Sequence, residues 1–540
     1  MNKLRPVLLV GYVSVIIRVT LINHGSPYHR NKLFPRIGLR VVLGRRIPKK
    51  TSDRESRCLT RRNSRSIPFR ANLFLMIFMI QTAYQSAHLV GVCGAGMRAL
   101  AELLLDEGWS LSGSDLAIPT SGILKLIDRG MVFHQGHAAV HLADSTQNLV
   151  YSPAIPLQNP ERMWATQQAI PQFSYSQMVA QRMRRSTGVC IAGTHGKSTT
   201  TAMVASILSA ANRLSGVVLG AELCGSGRSG WTGSGDLFVA ESCEFQQSFL
   251  DFEPRYTAIL SIEPDHFDCY PDLESLKSAF TTFASQTAAE GVLLINEDCP
   301  VSREVSTMAK TSARRVSFGR RATADWQVRE IEQSAGGLRF RVVGNGQDHG
   351  WFPLALHGEH NAFNGLAAAA LCAEAGVSLD ILRKTLAEFQ GIRRRFEFLG
   401  ERKGSLFFDD YAHHPTAVKA TLKTLRNVVG SQAIRCIFQP HQILRTTTLM
   451  TEFSQSFAEA NEVWVAPVFA ARESVSIEPW RVSQELTRQL QAEGISARFF
   501  SSLDQIVSTL DDAIRPGDVT VTMGAGDIDR IYHELTQRIQ

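Results

Sequence analysis

From Ser86 onward, short runs rich in apolar residues alternate with stretches of helical period. That alternation predicts parallel sheets with crossover helices, an α/β fold. The first unit reads as a strand (Ala87–Val92), a glycine turn, a helix (Met97–Glu107) and further strands at Ser110–Ser112 and Asn148–Ser152. The second unit places strands at Val189–Ala192, Leu237–Ala240, Tyr256–Ile262 and Val292–Ile295, with helices over 198–210 and 273–287. Its polar, glycine-containing stretch Arg314–Asp348 reads as an antiparallel insertion, and an alanine-rich helix follows at Ala362–Glu374. The third unit has strands at Leu406–Asp409, Ile434–Phe438, Glu462–Val468 and Val519–Met523, and closes on a helix, Asp527–Arg538. The boundaries expected are 1–84, 85–182, 183–390 and 391–540, the last three being folded domains.

Composition changes the picture at the N-terminus only. The net charge of +7 misleads, because residues 1–86 hold 17 of the 57 basic residues and 2 of the 50 acidic ones. The remainder then carries 40 basic against 48 acidic residues, so the basic balance does not argue for nucleic acid binding. Pro6–Ile22 is short for a membrane span and is broken by Arg18, so no membrane insertion is expected. Residues 1–84 read as a disordered basic extension, or as upstream sequence read from a wrong start, with Met76 or Met79 as the true one. Nine cysteines with no CxxC spacing indicate reduced thiols and a cytoplasmic setting.

The strongest chemical signal is the segment Gly193-Thr-His-Gly-Lys-Ser-Thr199, entered from a strand and opening a helix. Backbone N–H groups and the helix dipole there face phosphate oxygens, Lys197 adds a point charge, and the Ser198 hydroxyl can reach Mg²⁺. The glycine expected at position 191 of the common phosphate loop is Ile191. Four further clusters follow strand ends or open a helix. Glu241-Ser-Cys-Glu244 offers carboxylates for Mg²⁺, or is an ordinary loop. Glu263-Pro-Asp-His266-Phe-Asp268 offers His266 as a metal ligand, against a structural histidine. His360-Asn361-Ala-Phe-Asn364 can read a base edge or cap a helix. The last cluster is distributed over Arg393–Phe396, Asp409–Pro415, Gln439-Pro-His441 with Arg445, and Gly524–Asp527, which suggests one shared cleft. In the first unit, Gly91, Gly94 and Gly96 make a turn with Asp115 set 21 residues beyond Gly94, a weak dinucleotide-like signature with Cys93 inside it.

In order and spacing, these segments resemble the Mur ligase family over roughly 450 residues. Asp409-Asp-Tyr-Ala-His-His-Pro-Thr416 and Phe438-Gln-Pro-His441 are most similar to its alanine-adding branch. The resemblance implies a Rossmann-like N-terminal domain, a central P-loop ATPase-like domain and a C-terminal α/β Rossmann-like domain. It also implies ATP-dependent joining of L-alanine to the carboxylate of UDP-N-acetylmuramate through an acyl phosphate, for cell-wall precursor synthesis. ATP and Mg²⁺ would be the cofactors, and the protein a monomer or homodimer. By the same resemblance, Gly193, Thr194, His195, Gly196, Lys197, Ser198, Thr199, His360, Asn361 and Asp410 bind ATP. Lys197, His195, Glu241, His266 and Arg395 are implied in catalysis. Ser198 with Glu241 would hold one Mg²⁺, and Glu241 with His266 a second. Gly94, Ala95, Gly96, Met97, Ser114 and Asp115 fall to the UDP substrate, and His413, His441 and Arg445 to the amino acid. Departures are Ser198 for threonine, Cys93 for glycine, Gln442 for arginine, and Ser242-Cys243 in a usually acidic run. Two rival readings stand beside this one: a recycling ligase that attaches a murein tripeptide, and a non-catalytic nucleotide-binding relative.

Overall fold

The computed structural model describes residues 85–471, 473 and 478–537. The expectations for residues 1–84 lie outside the described residues. Three sheets carry the fold. The first has five parallel strands in the spatial order Val132–Gln135, Ser110–Asp115, Ser86–Val90, Asn148–Tyr151, Gln172–Ser174. The second has ten strands, with Thr187–Ala192 between Tyr256–Ile259 and Leu237–Glu241, all parallel. The third has six, built on Ser405–Asp410, Val519–Met523 and Ile434–Phe438.

The central strands are buried on both faces, which is why they read as unbroken apolar runs. The helix Lys197–Ala210 packs against them and against Glu359–Glu374. Small residues Ala367 to Ala370 on the second helix are fully buried, and let the two backbones approach.

Two sequence expectations are corrected. Arg314–Gly319 is no part of an antiparallel insertion; it pairs parallel with Val292–Asn296. Only Trp326–Ser334, Gly337–Gly344 and Gln347–Leu354 form an antiparallel meander, and they extend the same sheet. The polarity that suggested an insertion comes from the exposed start of one strand and the solvent face of the meander, where Arg341 pairs with Glu330 and Asp348. The strand expected to reach Val468 stops at Val465. Strands at Leu214–Val218, Gly230–Thr232 and Glu397–Arg402 were not expected. No helix among the described residues is long and apolar enough to cross a membrane.

The units join in two different ways. Leu89, Leu100 and Leu103 of the first share one apolar cluster with Cys190, Val218 and Phe238 of the second. Glu102, buried on the helix Ala95–Asp106, accepts from Ser229 N and Gly230 N across that junction. A side chain at Gly230 would overlap the Ala99 carbonyl, so only glycine permits this approach. The third unit instead has apolar clusters of its own, and meets the second through polar side chains.

Inside the first unit a fully buried carboxylate, Glu161, gathers Ser114 Oγ at 2.6 Å, His141 Nδ1 at 2.8 Å and His137 Nδ1 at 3.2 Å. Burial alone would raise its pKa, but the facing His88 imidazole and the hydrogen bond from Ser114 outweigh it and hold the value at about 2. The unfolded chain, with an ordinary carboxyl, therefore takes up the proton first as pH falls. The stabilisation is complete above about pH 4.5 and drains between there and about pH 2. Glu161→Gln should lower unfolding free energy by about 1–3 kcal/mol at neutral pH, the cost of leaving its buried hydrogen-bond partners unpaired. The gap between variant and wild type should shrink on acidification; denaturant titrations that find it independent of pH would contradict an ionised Glu161.

Candidate active site

The phosphate loop leaves the strand Thr187–Ala192 at the edge where neighbouring strands also end. Gly193, at φ +137°, lies so close to Ser261 that a Cβ would meet its carbonyl at 2.9 Å. Thr194 clips the loop to the next strand end. Its N–H donates to Ser261 O at 2.6 Å, and its hydroxyl accepts from Glu263 N at 2.9 Å. Gly196, at φ +79°, caps the helix Lys197–Ala210, and a Cβ there would overlap Asn364.

Lys197 points back over the loop to the Gly193 carbonyl and pairs with Glu244 Oε2 at 3.0 Å. Burial opposes its charge, yet Glu244, with Cys243 and Glu241 near it, leaves the pKa above the ordinary lysine value. Glu244 is itself buried, its backbone carbonyl held by Tyr270 OH at 2.6 Å. His266, at φ +52°, turns its Nε2 toward Glu244 at 3.7 Å. Cys243, Glu244 and His266 bring one ligand atom each within 4.8 Å of one another.

This arrangement places the expected metal ligands as follows. Ser198 Oγ does meet Glu241, at 2.8 Å, but the other Glu241 oxygen takes Gly220 N at 2.6 Å. His266 faces Glu244 rather than Glu241. The sequence held two glutamates three residues apart, and only the turn after the strand decides which one looks at the histidine.

The C-terminal unit closes over this edge. Arg445 Nε meets Asp265 Oδ1 at 2.7 Å, both buried, and Arg445 also lies 3.0 Å from His441 Nδ1. Burial would raise the Asp265 pKa, but Arg445 drives it far below the carboxylate range. His413 packs edge-on to His441, which stacks on Phe469. The three side chains expected on the amino-acid side thus do converge, with Arg445 already engaged by Asp265. Burial and Arg445 push the His413 pKa down.

Other expected residues divide into those facing the cleft and those holding it. Arg395 lies over the Tyr411 ring at 4.9 Å, whereas Arg394 is spent on Asp409, Gly524 O and Gly526 O. Asp410, buried, accepts from Phe396 N and Ala412 N at 2.7 Å each, and so fixes the arginine turn. His360 lies on the exposed side of the helix Glu359–Glu374, near Arg395 and His195. Asn361 is not a cap: the N-cap is Gly358, and the Asn361 amide donates to His357 O at 2.8 Å. Thr199 is buried behind the loop.

In the first unit, Gly94 and Ala95 are exposed and Gly96 half-buried beside Tyr175. Asp115 accepts from Cys93 N at 2.8 Å and so braces the glycine turn. Ser114 departs from expectation, its hydroxyl buried on Glu161, and the Met97 side chain lies in the core, leaving only its backbone for a ligand. Glu263, Asp265 and His414 were not singled out from the sequence, though each sits inside a quoted segment, and Glu244 was offered only as a second carboxylate for Mg²⁺.

Residues 86–187 match the Mur ligase catalytic domain model, 191–372 the Mur ligase middle domain and 394–526 the Mur ligase glutamate ligase domain. The UDP-N-acetylmuramate–L-alanine ligase of Desulfitobacterium hafniense is 35% identical over 451 residues, 83% of this chain and 98% of that protein. That of Chlorobium phaeobacteroides is 37% identical over 453 residues, 83% and 96% of the two chains. The chain belongs to the Mur ligase family. Among solved Mur ligase structures, UDP-N-acetylmuramate–alanine ligase from Thermotoga maritima superposes with a TM-score of 0.72 at 26% identity, covering 84% of this chain and 99% of that one. A murein peptide ligase from Psychrobacter arcticus shares the fold, with a TM-score of 0.65 at 23% identity over 84% and 98%.

Removing one member of a buried pair strands the other, at a cost of about 3–5 kcal/mol. In this Mur ligase the C-terminal unit can escape that cost by swinging open. Arg445→Ala should therefore raise the radius of gyration in small-angle scattering while the shared core of the first two units stays folded; an unchanged radius would remove Asp265–Arg445 as the closing contact.

Proposed function

We propose that this Mur ligase joins L-alanine to the carboxylate of UDP-N-acetylmuramate, driven by ATP. The observation that carries the chemistry is Lys197, held charged in an anion cradle between Gly193 O and Glu244, at the edge that the C-terminal unit covers. The choice of amino acid rests on the relatives, which the chain spans nearly end to end and which carry that name.

In this reading, exposed backbone around Gly94 to Gly96, braced by Asp115, takes the diphosphate of the sugar nucleotide. The loop N–H groups from Gly193 to Thr199 cradle the ATP phosphates, with Lys197 set to neutralise charge on the γ-phosphate. Arg395 and His360 line the nucleotide side. The muramate carboxylate attacks the γ-phosphate to give an acyl phosphate and ADP. The alanine amine then attacks the acyl carbon, loses a proton and expels phosphate. His195, within the loop, is placed to orient the phosphoryl group, and His413 and His441 to receive the amino acid.

Mg²⁺ fits the residues present. The His266 Nδ1 atom is buried without a hydrogen-bond partner, and Ser198, Glu241 and Glu244 supply the hard oxygens that this ion prefers. Bound there it would offset charge on the transferring phosphoryl group. Cys243 is a softer neighbour than a magnesium site needs.

Two measurements check the reading. Phosphate release from ATP should require UDP-N-acetylmuramate and L-alanine; release with a murein tripeptide alone would favour the recycling ligase. Lys197→Ala should reduce turnover by at least about 10³-fold, on the scale of losing a principal charge-stabilising group. It should leave binding of the UDP substrate in the N-terminal unit within about twofold by calorimetry, a change of under 1 kcal/mol.

A further inference from the structure

A second cluster of ligating side chains lies at the same seam, and of its members only His195 takes part in the steps above. His195 from the phosphate loop, Glu263 from the next strand end and His414 from the C-terminal unit bring one ligand atom each within 4.8 Å of one another. His195 Nε2 is 3.2 Å from Glu263 Oε2, and His414 Nδ1 is 3.8 Å from the same oxygen. Tetrahedral bonds of 2.0–2.1 Å separate donor atoms by about 3.4 Å, a spacing these distances bracket.

The tautomer of His414 makes the arrangement informative. Its Nε2 lies 3.3 Å from the Pro264 carbonyl, which can only accept, so Nε2 carries the proton. Nδ1 is left with a lone pair turned toward a carboxylate. Its one compensation is a long 3.3 Å contact from Thr416 N–H. That contact caps the helix Pro415–Val429, and a cation shared by Nδ1 and the Glu263 oxygen 3.8 Å away would take its place. The supporting contacts match those that orient metal ligands: a backbone carbonyl on the far nitrogen of the imidazole, and a hydroxyl on the carboxylate. Thr416 Oγ1 supplies that hydroxyl, at 2.7 Å from Glu263 Oε2, and Thr194 fixes the Glu263 backbone.

We propose that His195, Glu263 and His414 bind a borderline divalent transition ion, for which Zn²⁺ is the best match, and that the ion ties the C-terminal unit to the central one. Two imidazoles and one carboxylate suit Zn²⁺ and leave a fourth position open, whereas Mg²⁺ favours oxygen donors and retained waters. Because the ligands come from both units, the ion binds the closed form alone. Zn²⁺ would then act on this enzyme as a clamp, slowing the opening that releases product.

The test is equilibrium dialysis of the full chain against Zn²⁺ in excess Mg²⁺, without nucleotide. Cys243→Ser serves as the parent, so that the sulfur-containing cluster does not contribute. The parent should retain one Zn²⁺ per chain, and its radius of gyration should fall on adding the ion. His414→Ala and Glu263→Gln, each in that background, should lose this equivalent and the compaction. Glu263→Gln is nearly isosteric, and with thermal melting as a check on folding it separates ligand loss from collapse of the seam. Absence of tightly held Zn²⁺ from the parent, or its retention by either double variant, would overturn the proposal.

Discussion

Lys197 carries a positive charge into a pocket almost closed to water, and Glu244 answers it at 3.0 Å. Neither charge tolerates being there alone. Much of the surrounding geometry exists to hold them in place: the left-handed glycine that turns the loop, the Thr194 clip to the neighbouring strand, and the Tyr270 hydroxyl on the Glu244 backbone. Parallel strands make this possible. They end on the same edge, so residues far apart in the chain meet above one sheet.

The two junctions between units divide the mechanical work. An apolar core runs without a break from the first unit into the second, so the glycine turn of the first unit and the phosphate loop sit on one body. The third unit is held by Asp265–Arg445, His414 and Thr416, side chains that water can solvate when they part. A rigid platform with a polar-hinged cover is what a reaction on two successive substrates needs. A cover of that kind can exclude water from a reactive intermediate and part again afterwards.

The sequence made the platform legible because buried parallel strands are uniform apolar runs and phosphate loops have a fixed grammar of glycine, lysine and hydroxyl. It was least informative where two residues of one type compete. Glu241 and Glu244 are indistinguishable in one dimension, and a single turn gives Lys197 and His266 to the second. Ser114 and Asp410 were expected to contact ligands by resemblance to family positions. The structure spends both on neighbours, since a polar group buried there must be satisfied from within the protein. The strand Glu397–Arg402 was hidden by its charges, which an edge strand can afford to leave in water.

A buried ion pair across a seam differs from one inside a core in its reference state. When the C-terminal unit lifts, Asp265 and Arg445 regain their full hydration, and that gain offsets most of what their attraction contributes. The pair specifies how the cover seats while adding little to how firmly it stays shut. Ligands that bind the seated and lifted forms differently would then decide which form prevails.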